Sequence, residues 1–489
     1  AVLDSISPIH RLLGDVAAPK FFADEEPERA HAVLWDKPGF IASHGGTLPP
    51  PSEHVPLVII GGGMSGLTSG YLLRKYQPVI LEQAPQFGGN SKGQSWRGID
   101  YSIGAAYLIK PDEGSGIEKL LSEIGISSRW KDKGESETFE LNGSLAENFW
   151  SSGSTVANAH QFQTLKEYFQ NMWNGDGEPF PEIPILEGEN GDYVKRLDAI
   201  SFRSHLESIV GEELDPLIEA ALEQYCWSSF GGTLDEISAA CGLNFYSAEF
   251  GDIVALPGGN SAVAEELLTN ILHAGPRKNL RANSLVFDVT VKENGVNISY
   301  RDENGEIRTI HSKAAILSIP KFVVGKVLTG IEEERLNAIR KLRYRSYLVA
   351  NVLLKGEIAK KFYDLYLLGD GKIDRREIAA SAKAQGATDV ILGNFASSGE
   401  MENTVLTLYR GFPYDGVRAE LYVPGAYERF RSEFESQIYQ QILPLLRLQK
   451  SDVIDIRLAR WGHPLPLAEK GLISGGVPET LRKPFQNRV

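Results

Sequence analysis

Leu57–Ile60 is a run of four apolar residues without polar alternation, and glycines follow it at once in "GGGMSG", residues 61–66. So short and uniform a run suits a strand buried on both faces of a parallel sheet. The glycine turn leads into Leu67–Tyr76, read as a helix, and then into a second apolar strand, Val79–Leu81, ended by Glu82. Nineteen uncharged residues lie between His54 and Arg74, about the length of a membrane span. However, Gly61, Gly62, Gly63, Gly66 and Gly70 stand where a spanning helix needs large apolar side chains. Strand, turn, helix and strand is the better parse. Further on, alternating strands around Glu293-Asn294-Gly295 and Glu303-Asn304-Gly305 predict a small sheet, returning to an apolar strand, Ala314–Ile319, closed by Pro320. Residues 146–248 read as mostly helical, with "QFQTLKEYFQNMW" and "DPLIEAALEQYCW". Beyond 331 come strands in "SYLVANVLL" and "NTVLTLYRGFP" and a long helix, "GAYERFRSEFESQIYQQIL".

Each glycine of the turn has a mechanical reason. Gly61 permits a tight turn, Gly63 lets the backbone approach a pyrophosphate, and Gly66 allows close helix–strand packing. The helix N-terminus offers unpaired N–H groups and partial positive charge to that pyrophosphate, with Ser65 taken as a further contact in the same turn. Glu82 stands where an acid accepts hydrogen bonds from an adenosine ribose. The segment therefore holds a dinucleotide.

Downstream lie Gly88-Gly89-Asn90 and "SWRGIDYSIGAAYL", residues 95–108. With these the chain resembles the superfamily of flavin-containing amine oxidases and phytoene-desaturase-like enzymes, over about residues 55–330. The resemblance implies a Rossmann-like FAD-binding domain interleaved with an α+β substrate domain, and FAD as cofactor. It assigns Gly88, Gly89, Asn90, Gly104 and Ala105 to the cofactor, with Asn90 where the family usually has an arginine. It also makes "VALPGGNSAVAEELL" a second glycine turn and helix, and Val286 an adenine clamp. For substrate it points to aromatic residues before the flavin: Trp461 first, then Tyr225 or Trp227, with His463 as an ionisable neighbour. Many members carry a lysine that promotes reaction with oxygen on the strand read here as Leu348–Leu354. Asn351 stands at that place, which favours a dehydrogenase over an oxidase unless another cation such as Arg345 serves. The family's closing motif is absent, the chain stopping at "PFQNRV". That leaves a longer chain, a second polypeptide, or unusual flavin retention as explanations.

The 489 residues divide into an N-terminal arm at 1–54, FAD-domain parts at 55–145 and 249–330, substrate-domain halves at 146–248 and 331–455, and a return to the FAD domain at 456–489. A net charge of −14 disfavours nucleic-acid partners and anionic membrane surfaces, and suits a cationic substrate. Cys226 and Cys241 lack metal-ligand spacing and are read as buried thiols. "DGKIDRREI" resembles a calcium loop, but Lys372 and Arg375 stand at the third and sixth positions, so no metal is expected. Ala1 rather than Met at the start leaves room for a removed export signal or tag. The leading expectation is an FAD-dependent oxidoreductase acting on a C–N bond of an amine or amino acid. A polyene desaturase or isomerase is the second, and a subunit active only in a complex the third. Expected partners are a small-molecule substrate and, beyond it, a redox protein, a second polypeptide or a second copy.

Overall fold

The computed structural model describes residues 22–23, 27–134, 137–185, 190–359, 362–398 and 401–489. One sheet has six strands in the order Leu280–Arg281, Val79–Leu81, Glu53–Ile60, Ile307–Leu317, Gly295–Arg301, Leu285–Lys292. The first four run parallel, and the last three form an antiparallel meander. Along Glu53–Ile60, Leu57 and Ile59 pack into the core on one face, while Val58 and Ile60 pack into the core on the other. This double burial is why the segment carries no polar alternation, each such side chain contributing roughly 2 kcal/mol. The following helix is Met64–Leu72, starting three residues before the predicted Leu67. Gly63, in an extended conformation, caps it, so the glycine turn itself supplies the helix N-terminus. The second glycine turn likewise opens a helix, Ser261–Ala274.

The second sheet has seven strands in the order Val453–Pro466, Tyr344–Lys355, Asn403–Gly411, Asp389–Leu392, Asp364–Leu367, Thr138–Leu141, Ser144–Glu147. Side chains alternate across a strand, and the register sorts them into two unlike faces. The outer face presents Leu348, Ala350, Val352, Leu406, Leu408, Val390, Leu365 and Leu367 to one apolar core, shared with Phe430 and Phe434 of the helix Ala426–Gln437. The inner face carries polar and aromatic side chains. Asn351 lies opposite Thr407 and Arg457, Tyr347 opposite Trp461, and Asp389 opposite both Tyr409 and Tyr366.

Two domain seams differ from the sequence reading. Thr138–Leu141 and Ser144–Glu147 pair into the second sheet, although they fall mostly within 55–145. Val453–Pro466 is one continuous strand of that sheet, so a boundary after 455 would cut it. The last residues do return to the first sheet: the Ala315 N–H donates to the Arg488 carbonyl at 2.9 Å, and Phe485 is buried in that core. Helices Ala159–Asn174, Phe202–Val210, Pro216–Phe230 and Ala239–Ser247 surround an aromatic core.

Of the described part of the N-terminal arm, residues 27–54 lie on the chain's own first domain, whereas Phe22 and Ala23 lie on the second sheet, the Ala23 N–H donating to the Leu458 carbonyl at 2.9 Å. Phe40 meets Phe287 edge-on at 5.2 Å between centroids, and Arg29 bonds Asn283 at 3.1 Å. Cys226 is buried, Cys241 partly so, and they form no disulfide. Among the described residues no helix is long and apolar enough to cross a membrane.

Candidate active site

Four glycine-bearing stretches close on one another at the C-terminal end of the parallel strands. Gly61 has φ +100°, and a Cβ there would lie 2.3 Å from the Ser318 carbonyl oxygen. A Cβ on Gly66 would lie 1.9 Å from the Gly61 oxygen. Both positions are closed by protein. Gly63 is different, because its nearest neighbour would be Gly89 Cα at 3.5 Å. The room beside it, in front of the helix N-terminus, is free for another molecule. The Gly88 N–H donates to the Gly62 oxygen at 2.8 Å, and the Ala105 N–H to the Asn90 oxygen at 3.3 Å. A Cβ on Gly104 would lie 2.0 Å from that same Asn90 oxygen. Gly259 completes the group, packed so that a Cβ would meet Ala106 Cα at 2.9 Å. Ser65, Asn90 and Ala105 are exposed.

Glu82 is buried and braces the turn, its Oε2 accepting from the Gly62 N–H at 2.6 Å and its Oε1 from the Ala84 N–H at 2.8 Å. Each oxygen keeps lone-pair capacity for a ribose hydroxyl. Val286 is buried on the strand Leu285–Lys292, two residues after Ser284, whose N–H donates to the Glu82 carbonyl at 2.7 Å. Side-chain-free backbone, a helix N-terminus and a terminal acid together fit a dinucleotide.

The inner face of the second sheet meets this cradle from below. Trp461 Nε1 donates to the Ile103 oxygen at 2.7 Å, Asn351 Nδ2 to the Ser102 oxygen at 3.0 Å, and the Tyr409 hydroxyl to the Gly104 oxygen at 2.7 Å. Three side chains thus fix the backbone of Ser102–Gly104. Tyr409→Phe should remove one of those ties at a cost of about 1 kcal/mol, measurable as a lower melting temperature and weaker dinucleotide retention.

Beyond Tyr409 the inner face opens on a cavity of about 40 Å³, whose lining includes Glu137, Gln224, Tyr225, Tyr246, Glu249 and Asp389. Tyr225 donates to Glu249 Oε1 at 3.1 Å, Tyr107 reaches the same oxygen at 3.4 Å, and Lys133 Nζ lies 3.5 Å from Glu249 Oε2. The Ser228 hydroxyl donates to Asp389 Oδ1 at 2.8 Å. Asp364 is buried near them, and its Oδ1 has no hydrogen-bond partner. Gln224 Oε1, also buried, has none either. Burial pushes the Glu137 and Asp364 carboxyls above the usual range, and Asp389 up to about 6. Burial alone would lower Lys133, but Glu249, Glu137 and Asp364 together outweigh it and raise its pKa. Four carboxyl groups here face one ammonium.

Of the residues singled out in the sequence, Asn351 and Trp461 touch the cradle, while Tyr225, in the helix Pro216–Phe230, lines the cavity, which neither of the other two does. Trp227 packs, its Nε1 donating to Glu223 Oε1 at 3.1 Å. His463 stacks on Phe322 at 4.5 Å, and burial with Arg418 nearby drives its pKa down to about 4. Arg345 bonds Glu236 at 2.9 Å on another side of the molecule. The cation across from Asn351 is Arg457, bonded to the Tyr101 hydroxyl at 2.8 Å and 3.5 Å from Asp455. Sequence reasoning missed Glu137, Glu249, Asp364, Asp389 and Tyr409. A readable signal existed for two of them, Asp364 and Tyr409, since "DLYL" and "TLY" place a polar or tyrosine residue at every second position of an otherwise apolar strand.

Cradle, sheet order and inner-face chamber define a dinucleotide-binding protein of amine-oxidase-like fold. Residues 59–124 match the family of NAD(P)-binding Rossmann-like domains. The chain is similar to oxidoreductase PigB of Serratia sp. (strain ATCC 39006), 24% identical over 497 residues that cover 90% of this chain and 71% of that protein. Its fold is similar to that of a fatty acid isomerase from P. acnes that produces CLA (TM-score 0.61, 16% identity, 87% and 90% of the two chains). It is also similar to putrescine oxidase bound to putrescine (TM-score 0.58, 12% identity, 88% and 98%). A third match is a putative protoporphyrinogen oxidase from Exiguobacterium sp. 255-15 (TM-score 0.54, 14% identity, 86% and 89%).

Proposed function

We propose that this protein is an FAD-dependent oxidoreductase that dehydrogenates a C–N bond of a cationic amine. One observation carries the reading: the cavity lined by Glu137, Glu249 and Asp389, with Asp364 buried beside it, is answered among the described residues by Lys133 and joined through Tyr409 and Tyr107 to the cradle. Uncompensated carboxylates are costly in a low-dielectric interior, and an organic cation relieves that cost. The rings of Tyr225, Tyr246 and Tyr366 supply faces for its ammonium and apolar walls for its carbon chain. Gly61, Gly63 and Gly66 with the following helix would hold the FAD pyrophosphate, Glu82 the ribose, and Val286 the adenine. FAD, when bound, accepts the hydride from the substrate carbon. Trp461, Asn351 and Tyr409 hold Ser102–Gly104 in position beside it, and the buried chamber excludes water.

A fatty acid or polyene substrate fits less well. A hydrocarbon leaves the carboxylates unanswered, and a fatty carboxylate adds another like charge. Putrescine oxidase and oxidoreductase PigB are oxidoreductases by name, which agrees with a dehydrogenation. The test is anaerobic mixing of purified protein with alkylamines and α,ω-diamines of three to six carbons, followed by flavin absorbance. Bleaching by amines, with the matching ω-amino acids markedly slower, is expected; bleaching by fatty acids and not by amines overturns the reading.

The electron acceptor is expected to be a quinone or protein rather than oxygen, because Asn351 is neutral and Arg457 is engaged by Tyr101 and Asp455. Amine-reduced protein should reoxidise slowly in air and quickly with a quinone in stopped flow. Rapid reoxidation with stoichiometric peroxide would mean that Arg457 supplies the cation.

A further inference from the structure

The chamber contains one carboxylate presented differently from its neighbours. Asp389 lines the cavity from the inner face of the sheet, and two hydroxyls, Ser228 Oγ at 2.8 Å and Thr388 Oγ1 at 2.6 Å, donate to its Oδ1. Ser228 has one proton, and giving it to Asp389 leaves its oxygen to accept from the Tyr347 hydroxyl at 3.0 Å. Both of those bonds fall on Oδ1 and neither uses Oδ2. Across the same cavity wall, Gln224 Oε1 is buried without a partner, an acceptor aimed at a donor that the protein does not itself provide. An N–H-bearing substrate supplies that donor.

An ammonium cannot lose hydride from its neighbouring carbon, because its nitrogen has no lone pair to stabilise the cation that forms. Its proton must leave first. Resting on the amine reading above, we propose that Asp389 is the group that takes this proton, with Ser228 and Tyr347 positioning its carboxylate. One N–H bond of the ammonium breaks, and one O–H bond forms on Asp389. The nitrogen keeps the electron pair, the pair of molecules keeps its total charge, and nothing is oxidised or reduced in this step.

The groups around Asp389 keep it fit for the task. Asp364 and Tyr366 face it from the paired strand, Tyr409 from the strand on the other side, Tyr347 from the strand Tyr344–Lys355, and Glu249, itself paired with Lys133, from the helical turn Ala248–Phe250. Burial raises Asp389 to about 6, and Thr388 and Ser228 limit that rise. Burial and the neighbouring Asp389 both raise Asp364 well above its usual range. A carboxylate as basic as Asp389 is ionised at neutral pH yet a far better proton acceptor than an ordinary surface aspartate.

The test is the rate of anaerobic flavin reduction against pH, with the fastest amine of the series, for wild type, Asp389→Asn and Ser228→Ala. Asparagine is isosteric and still accepts from Ser228 and Thr388 through its oxygen, so the fold is kept. Wild type should lose rate as pH falls below about 6, where Asp389 is protonated. Asp389→Asn should be about a hundredfold slower at pH 7, lack that acid limb, and regain rate toward roughly pH 10, where amines of lysine-like basicity are already neutral in solution. Ser228→Ala removes a hydrogen bond to the charged form, and should move the acid limb up by about one pH unit. An Asp389→Asn profile that keeps the limb, or that matches wild type at pH 7, overturns the assignment to Asp389. An unmoved limb in Ser228→Ala overturns the positioning role. Flavin in wild type that no amine reduces at any pH overturns the amine reading itself, and is distinguishable because no profile is then obtained.

Discussion

Gly63→Ala should purify as a folded protein that no longer retains its dinucleotide, whereas Gly66→Ala should fail to accumulate as a stable protein. The two substitutions add the same methyl group three residues apart in one turn. At Gly66 that methyl would lie 1.9 Å from the Gly61 oxygen, inside the protein's own backbone, and the helix must move away from the strand at a cost of about 3 kcal/mol or more. At Gly63 the nearest protein atom is 3.5 Å away, an ordinary contact, and the backbone is extended. Only a ligand lying against the helix N-terminus would meet the new methyl. The ratio of flavin to protein absorbance and a thermal melt separate the cases. A Gly63→Ala protein with full flavin content would show that the pyrophosphate lies elsewhere.

Arg203→Ala should lose about 3–5 kcal/mol of stability at pH 8, and less at pH 5. Arg203 joins four carboxylates, with Glu219 at 2.9 Å, Asp235 at 3.1 Å, Glu223 at 3.3 Å and Glu207 at 3.9 Å. Glu223 is buried, and burial outweighs Arg203 and the bonds from Leu234 and Trp227, raising it to about 7. An acid whose folded pKa lies above its unfolded value binds more protons when folded. Its contribution to stability therefore falls as pH rises from about 4.5 toward 7. Without Arg203 that fall deepens, because the ionised carboxylate then has no cation. Denaturant titrations at the two pH values decide the matter, and an equal loss at both would sink the account. The effect reaches the chamber, since Glu223 belongs to the helix Pro216–Phe230 that carries Gln224, Tyr225 and Ser228.

The cradle was legible in the sequence because the demand on each glycine is local. Gly61, Gly63 and Gly66 answer to atoms within one turn and one adjoining strand, so their spacing carries the information. The helix start was misjudged by three residues because Gly63 serves both as approach point and as cap, and glycine spacing does not separate the two tasks. The chamber was legible only in fragments. Trp461, Asn351 and Tyr225 were picked out by type and order in the chain, but their hydrogen bonds go to Ile103, Ser102 and Glu249, partners more than 20 residues distant. Asp364 shows period-two placement with Tyr366 in a short strand, while Asp389 merely opens the apolar strand of which it is part. What brings them to one wall is the register between strands, and a slip of a single residue would turn either one to the opposite face. No local pattern fixes that register.

The two unlike faces of the seven-stranded sheet separate what the fold depends on from what the choice of substrate and chemistry depends on. Leu365, Val390, Leu406 and Leu408 hold the wall upright from outside, while Asp364, Tyr366, Asp389 and Thr407 look inward from the positions between them. Exchanging the second set leaves the packing of the first untouched, so the range of molecules accepted can drift while the scaffold persists. A combinatorial library confined to those four inward positions would explore new chemistries with few casualties in folding, and the same number of random changes in the outward set would yield mostly insoluble protein.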